Sequence, residues 1–338
     1  KGISLPLSVM TSLCALVSGI SEAAIAGAVP PDCRGEVAVA PPVGGTPRDE
    51  AFVESPSWPV AGATHFVPSF SALATVAGSV RLELSARLHG AWSPWVAGVA
   101  LGDDTFAPLP ESETLQVEVD VFRSRVPVEA VRVRARVRGP APAAVLAAPW
   151  LLTLSASASD TPAPSVMAAE GSARLDVPPL SQRDADPSIA SRICSPTCVA
   201  MVLGYWGRPA PLAELAAEIF HPGVDLYGVW PAAIRAAGRR GVAGYLLRFP
   251  DWAAATWCLR RRLPVIASVR YKAGELTGAA ITQTAGHLVV LTGWAGDTVL
   301  VNDPAAPAAD VARRYRVEEL ARVWLERSGV GYVLFPPA

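Results

Sequence analysis

The sequence predicts an all-β sandwich followed by an α+β domain, and three observations carry that reading. Residues 51–155 are dominated by short runs in which apolar and polar residues alternate, such as Val80-Arg-Leu-Glu-Leu-Ser-Ala-Arg-Leu, Leu115-Gln-Val-Glu-Val-Asp-Val and Val128-Glu-Ala-Val-Arg-Val-Arg-Ala-Arg-Val. Period-two alternation with turn residues between the runs gives strands with one face on a core, as in an antiparallel sandwich. From residue 176 onward the pattern changes to helical periodicity first and strand-like runs later, which suits helices packed on a sheet. With 338 residues, 51% of them hydrophobic, the chain can build two sizeable cores.

In chain order, residues 1–30 read as a secretory leader. The stretch is apolar, Lys1 is its only charge before Glu22, and the small residues Ala24-Ile-Ala26-Gly-Ala28 offer a cleavage site. Its most apolar part, residues 3–20, is short and rich in Ser and Gly for a spanning helix. A secreted or cell-envelope location is therefore expected. Residues 31–50, rich in Pro and Gly, read as a linker, and residues 156–175, rich in Ala, Ser and Pro, as a second. Between them, Trp92 and Trp95 are read as packing inside the sandwich, with sugar stacking on an exposed ring as the alternative.

Within 176–338, helices are expected at 196–206, 211–220, 231–239, 251–262 and 317–327. Strands are expected at 245–249, 264–269, 287–293, 298–302 and 330–335.

Four residues in this half supply the parts of a cysteine-nucleophile site. Cys194 stands where an apolar-periodic run with Pro196 in its first turn begins, so a helix N-terminus faces its sulfur. A thiol needs such a dipole, and an imidazolium beside it, to become a thiolate at neutral pH. His287 opens the run His287-Leu-Val-Val-Leu, and the next strand-like run ends beside Asp303. An Ala295-Gly296 hairpin turn would put residue 304 opposite His287, so the carboxylate could fix the imidazole tautomer. Gln182, upstream of the cysteine, can offer an amide N–H to an oxyanion, alongside the Cys194 backbone N–H. Plainer readings exist for each residue. Cys194 alone could be a buried small hydrophobe, His287 a satisfied strand-end histidine, and Asp303 the start of an Asp-Pro turn. Cys198, one helical turn on, is the other candidate nucleophile and is read as packing. A zinc site at Cys194 and Cys198 lacks two further ligands nearby, and no cofactor or metal is expected.

At these positions the sequence resembles cysteine peptidase family 39, the bacteriocin-processing peptidases, and more closely their soluble peptidase-like relatives. The resemblance lies in Gln182, Cys194-Ser195-Pro196, Ala200-Met201-Val202-Leu203 with Tyr205 and Gly207, Gly286-His287 with Val290, and Asn302-Asp303-Pro304. It implies a papain-like α+β fold over about 176–338, with Cys194 as nucleophile, His287 as base, Asp303 as orienter and Gln182 at the oxyanion. Ser195 departs from the family, which usually has Gly there, but a non-glycine residue is sterically ordinary in an early helical turn. The segment Trp92-Ser-Pro-Trp95-Val-Ala-Gly98 resembles an element of the β-rich domain that precedes this module in some secreted bacterial relatives.

A net charge of −1 with both signs scattered argues against nucleic-acid binding, and the chain shows no ATP-binding Gly-x-x-x-x-Gly-Lys-Ser sequence. The expected function is a secreted cysteine peptidase acting on a peptide or protein, with a cell-wall or glycan contact through the N-terminal half. The alternatives are an inactive peptidase-like scaffold in a binding protein, and a cell-wall peptide amidase or acyltransferase using the same residues.

Overall fold

The computed structural model describes residues 11–41, 49–60, 62–76, 78–158 and 170–337. They form three sheets. The first contains, in spatial order, Arg34–Val39, Ser12–Ser18, Trp150–Ser157, His65–Ala72, Val121–Ser124 and Leu115–Glu118. The second runs Glu50–Glu54, Ala130–Arg138, Ser79–Leu88 and Ala91–Trp92. Side chains from both, including Leu16, Phe66, Phe70, Leu152, Leu84 and Val133, make one buried cluster. The alternating runs explain it: in Ala130–Arg138, Val131, Val133, Ala135 and Val137 turn inward while Arg132, Arg134 and Arg136 turn out.

The N-terminal segment departs from the sequence reading. Residues 1–10 of the expected leader lie outside the described residues, but Ser12–Ser18 is an inner strand, antiparallel to Trp150–Ser157 and parallel to Arg34–Val39. Leu13, Cys14, Ala15, Leu16 and Val17 are each at most 3% exposed. Glu22–Ala28 forms a short helix capped by the Ser21 hydroxyl, and Ile25 and Ala28 are buried. An apolar run interrupted by Ser and Gly suits a strand buried on both faces as well as it suits a leader, and hydropathy alone does not separate the two. Residues 31–50 are likewise more than a linker, since 34–39 pairs in the sheet; their 42–48 stretch lies outside the described residues, as does 159–169 of the second linker.

Two further expectations are corrected. The run at 115–121 is not one strand but a hairpin broken at Val119, whose φ is +60°, because Asp120 turns away to bind the backbone of residue 230. Trp92 and Trp95 sit half-buried on the outer face of the second sheet rather than between sheets. Arg132 lies 4.2 Å from the Trp92 ring centroid and Arg134 4.1 Å from that of Trp95, so guanidinium planes cover those rings.

The third sheet belongs to the second half: Ala243–Arg248, Val330–Phe335, Val265–Tyr271, Thr284–Ala295, Thr298–Asn302 and Ala312–Arg316, with Ser172–Arg174 added alongside Thr284–Ala295. Helices Cys194–Tyr205, Leu212–Ile219, Trp230–Gly238, Trp252–Arg260 and Val317–Trp324 fall where periodicity put them. The hairpin turn is Gly296-Asp297, not Ala295-Gly296: Ala295 pairs with Thr298, and Gly296 takes the positive φ of +59°. A bulge at Thr292 then sets Val290 opposite Asn302.

The two halves share a core. Leu13, Val17, Val67 and Leu151 of the first sheet join Tyr245, Ile234 and Leu334 of the second half in one cluster.

Candidate active site

The helix Cys194–Tyr205 opens with Cys194 itself, and Thr197 Oγ1 donates back to the Ile193 carbonyl at 2.7 Å to tie its first turn. First-turn N–H groups have no carbonyl four residues back, so the sulfur meets the positive end of the helix. The Ser195 and Leu288 backbone N–H groups both point at it. At the far end, Gly207 (φ +68°) turns the chain out of the helix, and the Arg208 N–H bonds the Leu203 carbonyl at 2.8 Å. Ser195 is fully buried, its hydroxyl 3.4 Å from that of Tyr332. Its backbone is helical, so the position makes no demand that only glycine could meet.

His287 lies in the strand Thr284–Ala295 and is 3% exposed. Its Nε2–H donates to Asp303 Oδ1 at 2.8 Å, which leaves Nδ1 for its hydrogen bond to Cys194. Asp303 follows the strand Thr298–Asn302 and is fully buried. Pairing with the neighbouring strand has ended by then; the Asp303 N–H bonds the Val311 carbonyl at 2.8 Å, and the side chain reaches back to the imidazole. Oδ1 also accepts the Ala305 N–H at 3.0 Å, and Oδ2 accepts the Tyr315 hydroxyl at 2.6 Å.

Burial pulls the Asp303 carboxyl upward, but the His287, Tyr315 and Ala305 donors outweigh it and hold the group below its ordinary range. Burial would lower His287, yet its bonds to Asp303 and Cys194 push it up to about 10. Burial raises the Cys194 thiol, and the His287 hydrogen bond and charge more than reverse that, leaving it below its ordinary 9.0. The three shifts run in the direction that stabilises a thiolate beside an imidazolium. Cys198 contrasts: it is fully buried, donates to the Leu288 carbonyl at 3.3 Å, and burial pushes its thiol well above the ordinary value.

Gln182 begins the one-turn helix Gln182–Asp184 and is 6% exposed. Three bonds fasten this turn to the loop after Asp303: Gln182 N–H to the Pro304 carbonyl at 2.9 Å, Ser181 Oγ to that of Ala306 at 2.6 Å, and Arg183 Nε to that of Ala305 at 2.6 Å. The buried Gln182 Oε1 has no hydrogen-bond partner among the described residues. The two ends of an amide exchange by a half turn, so this side chain has one end unspent. Gln182, Cys194 and His287 line one open cleft of about 530 Å³, with Arg183, Arg192, Ile281 and Gly286 around them. A larger hollow of about 650 Å³ lies in the first half against Arg81 and Phe106, far from this chemistry. Its buried charge, Arg81, is already engaged by Glu83 and the Ala107 carbonyl.

All four sequence-derived site residues therefore meet at one place. Two others have parts that the sequence did not assign, Asn302 having been read only within Asn302-Asp303-Pro304. Asn302 Nδ2 donates to the Val177 carbonyl at 3.0 Å and holds the segment leading to Gln182. Tyr315 lies in Ala312–Arg316, a strand too rich in arginine to show apolar alternation; its lone aromatic was the only available signal.

Residues 174–332 match the model of the Peptidase_C39 like family, and the family resemblance read from the residues holds over this half of the chain. Solved structures similar to it include a double glycine motif protease from an AMS/PCAT transporter in complex with its leader peptide (21% identity, 48% of this chain, 94% of that one, TM-score 0.34). The peptidase domain of Streptococcus ComA, a bi-functional ABC transporter involved in quorum sensing, is 18% identical over 47% of this chain and 98% of its own (TM-score 0.36). A C39-like peptidase described as putative, from Bacillus anthracis, is 17% identical over 49% and 98% (TM-score 0.39). No curated protein matches the chain.

Proposed function

We propose that the second half is a cysteine peptidase, or a closely related amide hydrolase acting on peptides, and that the two-sheet first half is a β-sandwich platform for it. The observation that carries the reading is the continuous chain from the Cys194 sulfur through His287 to a fully bonded, buried Asp303, open to solvent only at the sulfur end. In this reading the Cys194 thiolate attacks the scissile carbonyl carbon. The oxyanion takes hydrogen bonds from the Gln182 amide and the Cys194 N–H. His287 gives its Nδ1 proton to the departing amine, leaving a thioester. Water then attacks the thioester carbon as neutral His287 removes its proton. Collapse releases the acid, and the thiolate–imidazolium pair is restored. Asp303 keeps the ring oriented and carries no proton itself.

A secreted or envelope location was expected from a removable leader. Ser12–Ser18 is a core strand, so those residues do not form that leader.

The test is iodoacetamide alkylation of each cysteine as a function of pH, read by mass spectrometry, in the wild type and in His287→Ala. Selective modification of Cys194 at mildly acidic pH, abolished in the variant, supports the reading. Slow, ordinary thiol behaviour at Cys194 in the wild type overturns it.

A further inference from the structure

We infer that Tyr315 is a positioning residue of this site, a fourth member that holds the orienting carboxylate through the oxygen the histidine does not use. The inference rests on the cysteine-hydrolase reading above. Asp303 Oδ1 faces His287 Nε2 at 2.8 Å, and the Tyr315 hydroxyl donates to Oδ2 at 2.6 Å. The carboxylate torsion is soft, so one anchored oxygen would leave the other free to swing; anchoring both fixes the plane that the imidazole meets. The tyrosine is itself fixed. Its strand pairs residue for residue with Thr298–Asn302, placing Tyr315 opposite Val299, and its ring is 2% exposed.

The groups that face this carboxylate come from several elements: His287, Tyr271 from the strand Val265–Tyr271, Tyr315 with Arg313 nearby on Ala312–Arg316, and Cys198 from the nucleophile helix. Of these, His287 and Tyr315 donate hydrogen bonds to it. Burial and the adjacent carboxylate push the Tyr315 phenol far above its ordinary range, so it remains a donor at every working pH. Without that hydroxyl, Oδ2 would be buried with no donor. The carboxylate would then turn toward another donor, drawing Oδ1 out of line with His287 Nε2. A turned carboxylate stabilises the imidazolium less, and the imidazolium in turn lowers the thiol less. A packing role for the ring predicts none of this, because phenylalanine fills the same space.

The experiment is Tyr315→Phe in the full chain, with the pH midpoint of Cys194 alkylation as the readout. Loss of one hydrogen bond to a charged group should raise the midpoint by on the order of one pH unit and slow alkylation about tenfold below it. The same change made in an Asp303→Asn background should shift nothing further, since the charge it serves is gone. If the phenylalanine variant does not fold, 4-aminophenylalanine at position 315 keeps the ring and a weaker donor, and should raise the midpoint by a smaller amount. An unchanged midpoint, or an equal shift in the Asp303→Asn background, overturns the assignment while leaving Cys194 activation intact. A wild-type Cys194 that behaves as an ordinary thiol overturns the hydrolase reading and this assignment with it.

Discussion

Deleting residues 1–30 should unfold this protein rather than mature it. The perturbation removes the strand Ser12–Ser18 and the helix Glu22–Ala28. Leu13, Leu16, Val17, Ile20, Ile25 and Val29 are each at most 5% exposed. At about 1.5–3 kcal/mol per fully buried aliphatic side chain, their loss is worth on the order of 10 kcal/mol, an upper figure because denatured chains already bury some apolar surface. Whole domains are stable by about 5–15 kcal/mol. The deletion also strips pairing from Trp150–Ser157 and Arg34–Val39, and removes the Ala28 carbonyl that accepts the buried Tyr245 hydroxyl at 2.6 Å. The assay compares chains beginning at residues 1 and 31 by thermal circular dichroism and by native-state alkylation of Cys33 and Cys258, both buried in the full chain. A truncated chain that melts cooperatively within a few degrees of the full one, with both thiols protected, would refute the reasoning and restore the leader.

Gln182→Ala should cut kcat by about 10²–10³ with KM little changed, since its donor acts on the oxyanion and not on the ground-state carbonyl; steady-state kinetics on a cleaved peptide decide it. Peptide hydrolysis should begin to fail at the alkaline end as pH rises through about 10, where His287 loses the proton the leaving amine needs. The acid limb should lie below the ordinary thiol value of 9.0, because Cys194 is lowered. Stability follows the same shifts. The His287 contribution is complete below its unfolded value near 6.5 and is lost as pH rises through about 10. The Asp303 contribution is complete above about 4 and fades as pH falls through its depressed value. Asp120 runs the other way: burial raises it to about 7, so wild-type stability should fall between about pH 4 and 7, and Asp120→Asn should flatten that slope in melts taken at pH 5 and pH 8.

The site was legible in the sequence because its chemistry needs particular residue types at element ends. A cysteine at a helix start and a carboxylate after a strand are local facts, and Gly296 marked the hairpin between base and orienter to within one residue. Tyr315 was not legible because its role depends on a strand pairing, Val299 with Tyr315, in a segment whose arginines mask the alternation. The N-terminal strand was misread for a related reason. Burial on both faces erases the periodicity that identifies a strand, and what remains is uniform hydropathy. The break at Val119 was equally hidden, since the alternation runs on through it and only a contact from the other half explains the turn.

That last contact bears on how the halves work together. The first sheet is covered on one side by the second sheet and on the other by the peptidase-like half, so its central strands Ser12–Ser18, Trp150–Ser157 and His65–Ala72 are buried on both faces. The seam is polar as well as apolar. Asp120 Oδ2 accepts the Trp230 N–H at 2.7 Å at the start of the helix Trp230–Gly238, and Arg235 donates to the Gly78 carbonyl at 2.7 Å further along it. Ser71 and Ser155 hydroxyls accept the N–H groups of Gly244 and Arg248 at 3.2 and 3.0 Å. At Gly238 a side chain would meet the Ala72 carbonyl at 2.7 Å, so the helix is pressed onto the sheet as closely as backbone allows. The strand Ala243–Arg248 that makes these contacts pairs with Val330–Phe335, which carries Tyr332 beneath Ser195. From the first sheet to the residue beside the nucleophile there are thus two packed strands. The first half is part of the structural support of the site, and a fragment of residues 174–332 alone would expose the face of Trp230–Gly238 and Ala243–Arg248 that the sheet now covers.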